Sequence, residues 1–208
     1  MQGAVNRAEA FRGHDLMRQI VGERMSACEL RNYEIGKDQY TEKRQRVLEQ
    51  VTDYCRDLKS PFQTGGNLLI TGGCGTGKTH LAASVVRVAV GYGFDCAFIR
   101  GSALCGEMLQ RIRSDVPRNT VPLRYQEVPL LVIDDIEPRA GAPTQFEERA
   151  LLELFDTRYR NRLRTVVTSN CRYLTELKER IGTRTAERLI DGSKTVITAW
   201  PSYRKAAV

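Results

Sequence analysis

No run of 18 uninterrupted apolar residues occurs in the 208-residue sequence, so a membrane-spanning helix is not expected. Met1 to Ala10 lacks the apolar stretch of a secretory signal. Histidine occurs only at His14 and His80, and no two of the six cysteines are spaced Cys-x-x-Cys, so the clustered ligands of a zinc site are missing. Those cysteines, at 28, 55, 74, 96, 105 and 171, read as reduced thiols, because a chain of this length buries a core without a disulfide framework. No internal repeat or low-complexity tract is present. Cytoplasmic residence, with no membrane partner, is the resulting expectation.

What is present fits a globular chain, with 41% hydrophobic and 27% charged residues. The net charge of +7 is unevenly spread. Residues 156–208 hold 12 basic and 5 acidic groups, and the rest of the chain balances to zero. A localised basic surface of this kind suits phosphate groups of nucleic acid or nucleotide, or else a solvated helix face.

Residues 4–30 read as one or two polar helices with sparse apolar points at Phe11, Leu16, Ile20 and Met25. A clearer helix runs from Thr41 to Leu58, where Val47, Leu48, Val51, Tyr54, Cys55 and Leu58 form one face of a 3.6-residue period. Beyond the break at Pro61 and Gly65-Gly66 the pattern alternates. Strand-like runs at 67–71, 96–99, 130–133, 165–168 and 195–199 are separated by helical patterns at 80–90, 103–112, 146–163 and 174–189, the last interrupted near Gly182. Pro117 to Pro122 and the Gly141/Pro143 region read as loops. This alternation implies an α/β fold, a parallel sheet covered by helices on both faces.

Gly72-Gly73-Cys74-Gly75-Thr76-Gly77-Lys78-Thr79 matches G-x-x-x-x-G-K-[ST] and lies between a strand and a helix. Its glycines allow several backbone N–H groups to converge on phosphates, aided by the positive end of the following helix, which begins near His80. Lys78 is expected to reach the terminal phosphates of ATP, and the Thr79 hydroxyl to ligate Mg2+. In Leu130-Leu131-Val132-Ile133-Asp134-Asp135 two carboxylates end the most apolar strand, at the sheet edge where α/β folds hold ligands. Asp134 is the candidate Mg2+ holder, acting through water, and Asp135 the candidate base for an attacking water. Asn170, closing Thr168-Ser169-Asn170, could hydrogen-bond that water or the γ-phosphate, or serve only as a turn residue. Arg184 and Arg188, four apart, share a helix face. Either could be offered to a neighbouring subunit's γ-phosphate or simply be an exposed helical arginine.

Taken together, NLLITGGCGTGKTHLA, LLVIDDIE, VVTSN, GTRTAERL and WPSYRK resemble the DnaC-type replicative helicase loaders of the AAA+ ATPases, over about Tyr33 to Lys205. The tail elements GTRTAERL and SYR narrow the resemblance to this family and its relatives, the IstB transposition helpers. The resemblance implies an AAA+ P-loop fold: a five-stranded parallel sheet ordered 5-1-4-3-2, with the lid domain absent or minimal. It divides the chain into an N-terminal helical segment, 1–30, as a possible partner-binding element, and an ATPase core, 31–208.

By the same resemblance Gly72 to Lys78, Thr79, His80 and Arg204 would hold ATP. Asp135, Asn170 and, in trans, Arg188 would carry hydrolysis, and Thr79 and Asp134 would hold Mg2+. Arg111, Arg113 and Phe146 would meet single-stranded DNA, with a core anchor as the other reading of Phe146. The implied partners are a replicative DNA helicase, single-stranded DNA and further copies of the chain, joined through ATP sites. An IstB-like helper binding double-stranded DNA and a transposase is the alternative. A small-molecule kinase and an adaptor that holds ATP without turnover are the readings from other classes. Asp135 stands where many AAA+ proteins carry the longer Glu, which implies slow hydrolysis.

Overall fold

The computed structural model describes residues 15–59, 66–113, 121–137 and 142–204. Among them five strands, β1 (Leu68–Gly72), β2 (Cys96–Arg100), β3 (Leu130–Asp134), β4 (Arg164–Ser169) and β5 (Lys194–Thr198), form one sheet. Every pairing is parallel, and the spatial order is β2-β3-β4-β1-β5, the expected order read from the other edge. The register pairs Leu68 with Val166 on one side and with Lys194 on the other.

Strands β1, β3 and β4 are buried at every position, which explains the apolar runs Leu68–Ile70 and Leu130–Ile133 and the paired Val166 and Val167 at the centre of β4, whose other residues are polar. Successive side chains enter two different cores. Leu68, Ile70, Leu130, Val132 and Val166 pack with α1 (Thr41–Asp57), α2 (Lys78–Gly91) and Met17, Val21 and Cys28 of the N-terminal region. Leu69, Leu131, Ile133 and Val167 pack with α3 (Gly101–Arg113), α4 (Leu123–Glu127), α5 (Gln145–Arg160), α6 (Leu174–Ile181) and α7 (Thr183–Ile190). Each buried aliphatic side chain contributes about 1.5–3 kcal/mol relative to exposure, so both helical layers are strongly held.

Several local boundaries differ from the sequence pattern. Of the expected polar helices at 4–30, residues 15–21 are helical and short 3-10 turns occupy Glu23–Met25 and Leu30–Asn32, while the part before residue 15 lies outside the described residues. The short helix α4, with Pro122 at its N-cap, follows a stretch read as loop. Helix α5 starts on a capping box: the Glu147 amide donates to Thr144 Oγ1 at 3.2 Å, and Glu147 Oε2 accepts from the Thr144 amide at 2.7 Å. It ends at Arg160, three residues before the apolar pattern does, because Arg162 adopts φ 54° and turns the chain into β4.

The buried Arg158 secures that turn. Its guanidinium donates to Thr165 Oγ1 at 2.9 Å, to the carbonyls of Tyr125 at 2.8 Å and Val128 at 2.9 Å, and to the Arg164 carbonyl. Burial lowers its pKa to about 9. Among the described residues no helix is long and apolar enough to cross a membrane.

Candidate active site

Because all five strands run parallel, the ends of β1, β3 and β4 lie along one edge of the sheet, and the segments following them meet there. The loop after β1 spans Gly73 to Gly77 and delivers Lys78 at the first turn of α2. Lys78 is 6% exposed. Its ammonium donates to the carbonyls of Gly72 at 2.9 Å and Gly73 at 2.7 Å and to Asn170 Oδ1 at 2.8 Å. Burial lowers its pKa, and the charges of Asp135, Cys74, Glu137 and Asp134 oppose that shift.

Thr79 Oγ1 donates to the Asp134 carboxylate at 2.9 Å. Asp134 also accepts from Thr168 Oγ1 at 2.7 Å, and the Asp135 amide donates to the same Thr168 oxygen at 2.8 Å. Thr168 therefore joins the end of β4 to both acids of β3. Asn170 completes the wall: its Nδ2 donates to Asp135 Oδ1 at 2.5 Å while its Oδ1 accepts from Lys78. Asp135 sits at φ 51° in the left-handed region. A Cβ on Gly101, at the start of α3, would overlap the carbonyls of Asp135 and Ile136, so only glycine allows this close approach. Burial raises the Asp135 pKa, with Asp134 and Glu137 adding to the shift and Lys78 and Asn170 opposing it.

The opposite side of the loop is braced by two segments distant in sequence, around Tyr33 and from Thr198 to Tyr203. Tyr33 Oη and Trp200 Nε1 both donate to the Thr76 carbonyl, at 3.2 and 3.1 Å. The hydroxyls of Thr76 and Thr198 lie 2.6 Å apart, and the Tyr203 amide donates to the Gly75 carbonyl at 2.9 Å. Gly77, at φ 91°, lies so close under Tyr33 that an added Cβ would meet its ring at 2.8 Å. Arg44 ties the two braces together. It donates to the Ile35 carbonyl and to Asp38 Oδ1, both at 2.8 Å, and its guanidinium lies 5.1 Å from the Tyr203 ring centroid and 5.8 Å from that of Trp200.

Between the two walls lies a cleft of about 300 Å³, lined by Met25, Cys28, Cys74, Gly75, Gly77, Lys78, Thr79, His80, Asp135, Asn170, Tyr203 and Arg204. Gly72, Gly73 and Thr76 form the turn behind it, where the Thr76 hydroxyl donates to the Gly73 carbonyl at 2.9 Å. His80 Nε2 lies 3.0 Å from the Glu29 carbonyl, so that nitrogen faces the N-terminal segment.

Other residues lie elsewhere. Arg188, on α7, pairs with Asp156 at 2.7 Å and lies 5.4 Å from the Tyr159 ring, in a separate depression shared with Arg184, Glu187 and Asp191. Arg111 is half-buried on α3, whereas the Arg113 side chain falls outside the described residues. Phe146 is partly buried and packs against the core beneath α5.

The donor set suits a hard cation. Thr79 and Asp134 offer a hydroxyl and a carboxylate side by side, and among the described residues no cluster of three or more His, Cys, Asp or Glu is placed to hold a metal. That set fits Mg2+, which takes few protein oxygens and completes its shell with phosphate and water.

Residues 26–207 match the family described as IstB-like ATP binding protein, which is most of the chain. The chain belongs to this family. Its ATP-binding domain has the AAA+ P-loop fold. It is similar to the crystal structure of the DnaC helicase loader, with a TM-score of 0.69 and 20% identity over 84% of this chain and 98% of that one. It is similar also to replication initiator DnaA bound to AMPPCP and single-stranded DNA, with a TM-score of 0.65 and 20% identity over 82% of this chain and 49% of that one. In sequence it is 31% identical over 129 residues to the chromosomal replication initiator protein DnaA of Streptococcus thermophilus, which covers 60% of this chain and 28% of that protein. The chain thus spans under a third of the length of the curated relatives it matches.

Sequence reasoning named the phosphate loop, both acids and Asn170 without the residues that hold them. Tyr33 was missed as a contributor, since a tyrosine outside a spacing motif carries no chemical signal, and Thr168 and Glu137 lay within quoted segments without an assigned role. Trp200 lay within a quoted motif but had no assigned role.

Proposed function

We propose that this protein hydrolyses ATP and acts as a loader for a replicative DNA helicase, engaging single-stranded DNA and further copies of itself. The observation that carries the hydrolytic reading is the continuous chain Lys78–Asn170–Asp135 facing the hydroxyl–carboxylate pair Thr79–Asp134 across one cleft. Lys78 neutralises charge on the terminal phosphates. Asn170, already placed between Lys78 and Asp135, orients the attacking water, and Asp135 takes its proton. Thr79 and Asp134 hold Mg2+, which when bound supplies charge neutralisation to the phosphate oxygens. Arg188, remote from its own phosphate loop and held ready by Asp156, serves the site of a neighbouring copy. Arg204, on the cleft rim, closes over the nucleotide.

The loader reading is supported by the likeness to DnaC over nearly all of that structure's length. DNA contact is assigned to the α3 segment that carries Arg111 and Arg113, with Phe146 kept as a core anchor. The deciding experiment is affinity capture of this protein from extract of its own cells in the presence of ATP. Recovery of a hexameric helicase is the expected result, and recovery of a transposase overturns it. The family match to IstB-like ATP binding proteins makes a transposition helper the competing reading. Binding to duplex in preference to single-stranded DNA, at matched length and salt, selects that reading.

A further inference from the structure

We infer that Glu137 is a positioning residue that holds Asn170 against the γ-phosphate of ATP, an inference that rests on the hydrolytic reading above. Glu137 follows the acid pair on the turn after β3. Its Oε1 accepts from the Asn170 amide at 3.0 Å, from Cys171 Sγ at 3.2 Å and from Ser169 Oγ. Ser169 Oγ in turn accepts from the Cys171 amide at 3.0 Å. One carboxylate oxygen thus gathers three consecutive residues of the turn that presents Asn170.

The Asn170 side chain has both ends committed, to Lys78 and to Asp135, so its reach depends on where its backbone is anchored. Glu137 supplies that anchor from the same turn that carries Asp135. The arrangement is costly. The second oxygen, Oε2, is buried and meets no donor among the described residues. The carboxylate also lines the same depression as Asp135, a second acid. A residue kept only for stability would not combine a buried unpartnered oxygen with a like-charge neighbour, whereas an anchor for the sensor amide needs an acceptor at this point.

The test compares Glu137→Ala and Glu137→Gln with wild type in full-length protein, measuring thermal unfolding, steady-state ATP hydrolysis and the affinities of AMPPCP and ADP. Loss of the anchor lets Asn170 drift by a fraction of an ångström to an ångström, so Glu137→Ala should lower kcat about 10- to 100-fold with KM and AMPPCP affinity within about threefold. Glu137→Gln keeps an acceptor oxygen and should recover most of that loss, which a role in stability or charge alone does not predict. On an Asn170→Ala background, Glu137→Ala should cost nothing further. A kcat within twofold of wild type for Glu137→Ala, or equal losses in both variants, overturns the inference. If wild type turns over no ATP, the hydrolytic reading falls by itself. The anchor is then judged by binding: Glu137→Ala should lose the wild-type preference for AMPPCP over ADP, and an unchanged ratio overturns it.

Discussion

The two walls of the nucleotide cleft are built in opposite ways. The wall beside Lys78 is made of strand ends: Asp134 and Asp135 close β3, Asn170 follows β4, and short hydrogen bonds between side chains link them. The wall beneath Thr76 is made of segments more than 160 residues apart, with Tyr33 and the 198–204 tail meeting on one carbonyl and one hydroxyl. The first wall carries charge, and burial within it, with Asp134 and Glu137 adding, raises the Asp135 pKa; the second is aromatic and holds main chain. Chemistry is therefore assigned to the side that the sheet places rigidly. The shape of the loop depends on the side where Tyr33 meets Thr198, Trp200 and Tyr203.

The strongest way to break this comparison is Lys78→Ala. Because Lys78 reaches both the loop carbonyls and Asn170, its loss should reduce ATP affinity by about 100-fold or more and remove turnover. Titration with a fluorescent ATP analogue, beside a thermal melt, checks it; near-wild-type affinity in a folded variant sinks the role of the first wall. Arg188→Ala should leave ATP binding nearly normal while lowering turnover by about 10³-fold. Mixing it with Lys78→Ala should restore activity in assemblies that set an intact loop beside an intact arginine. A flat response with mixed assembly confirmed places Arg188 outside the reaction.

Asp135→Asn should bind ATP as wild type does but turn over about 100-fold more slowly, because an amide takes no proton. Phosphate release at saturating ATP measures it, and an unchanged rate assigns the base elsewhere. On the second wall the effects shrink and change kind. Trp200→Phe loses the bond to Thr76 and should lower stability by about 1–2 kcal/mol with a several-fold weaker ATP affinity and an unchanged kcat. Tyr33→Phe keeps the ring over Gly77 and loses one hydrogen bond, for about 1 kcal/mol. Denaturant melts and kcat against KM separate these outcomes. A fall in kcat for either variant would merge the two walls into one functional unit.

Much of the first wall could be read before folding. The apolar runs of β1 and β3 and the Val166-Val167 pair of β4 follow from burial on both faces, and a phosphate loop, an acid pair and a terminal Asn follow these strands in turn. Helix α1 was legible because Val47, Val51, Tyr54 and Cys55 keep one face. The end of α5 was not, because Leu163 continues the apolar pattern while Arg162 turns the backbone at φ 54° and Arg158 fastens the turn through carbonyls that sequence spacing does not reveal. Thr168 and Gly101 escaped notice for a related reason. Their importance lies in an oxygen 2.7 Å from Asp134 and in a missing Cβ beside Asp135, and both are relations between segments distant in sequence.

The sequence by itself determined the alternating α/β plan, the phosphate-binding loop and the acids that end β3, since periodicity and local residue chemistry act over a few residues and need no partner. Tertiary structure alone decided that Asn170 lies between Lys78 and Asp135, that Tyr33 and Trp200 share the Thr76 carbonyl, and that Glu137 grips the turn after β4. Those contacts form only after two helical layers have buried the sheet and brought distant strand ends to one edge. Hydrogen bonds of about 3 Å depend on that assembled geometry, and local sequence does not encode it.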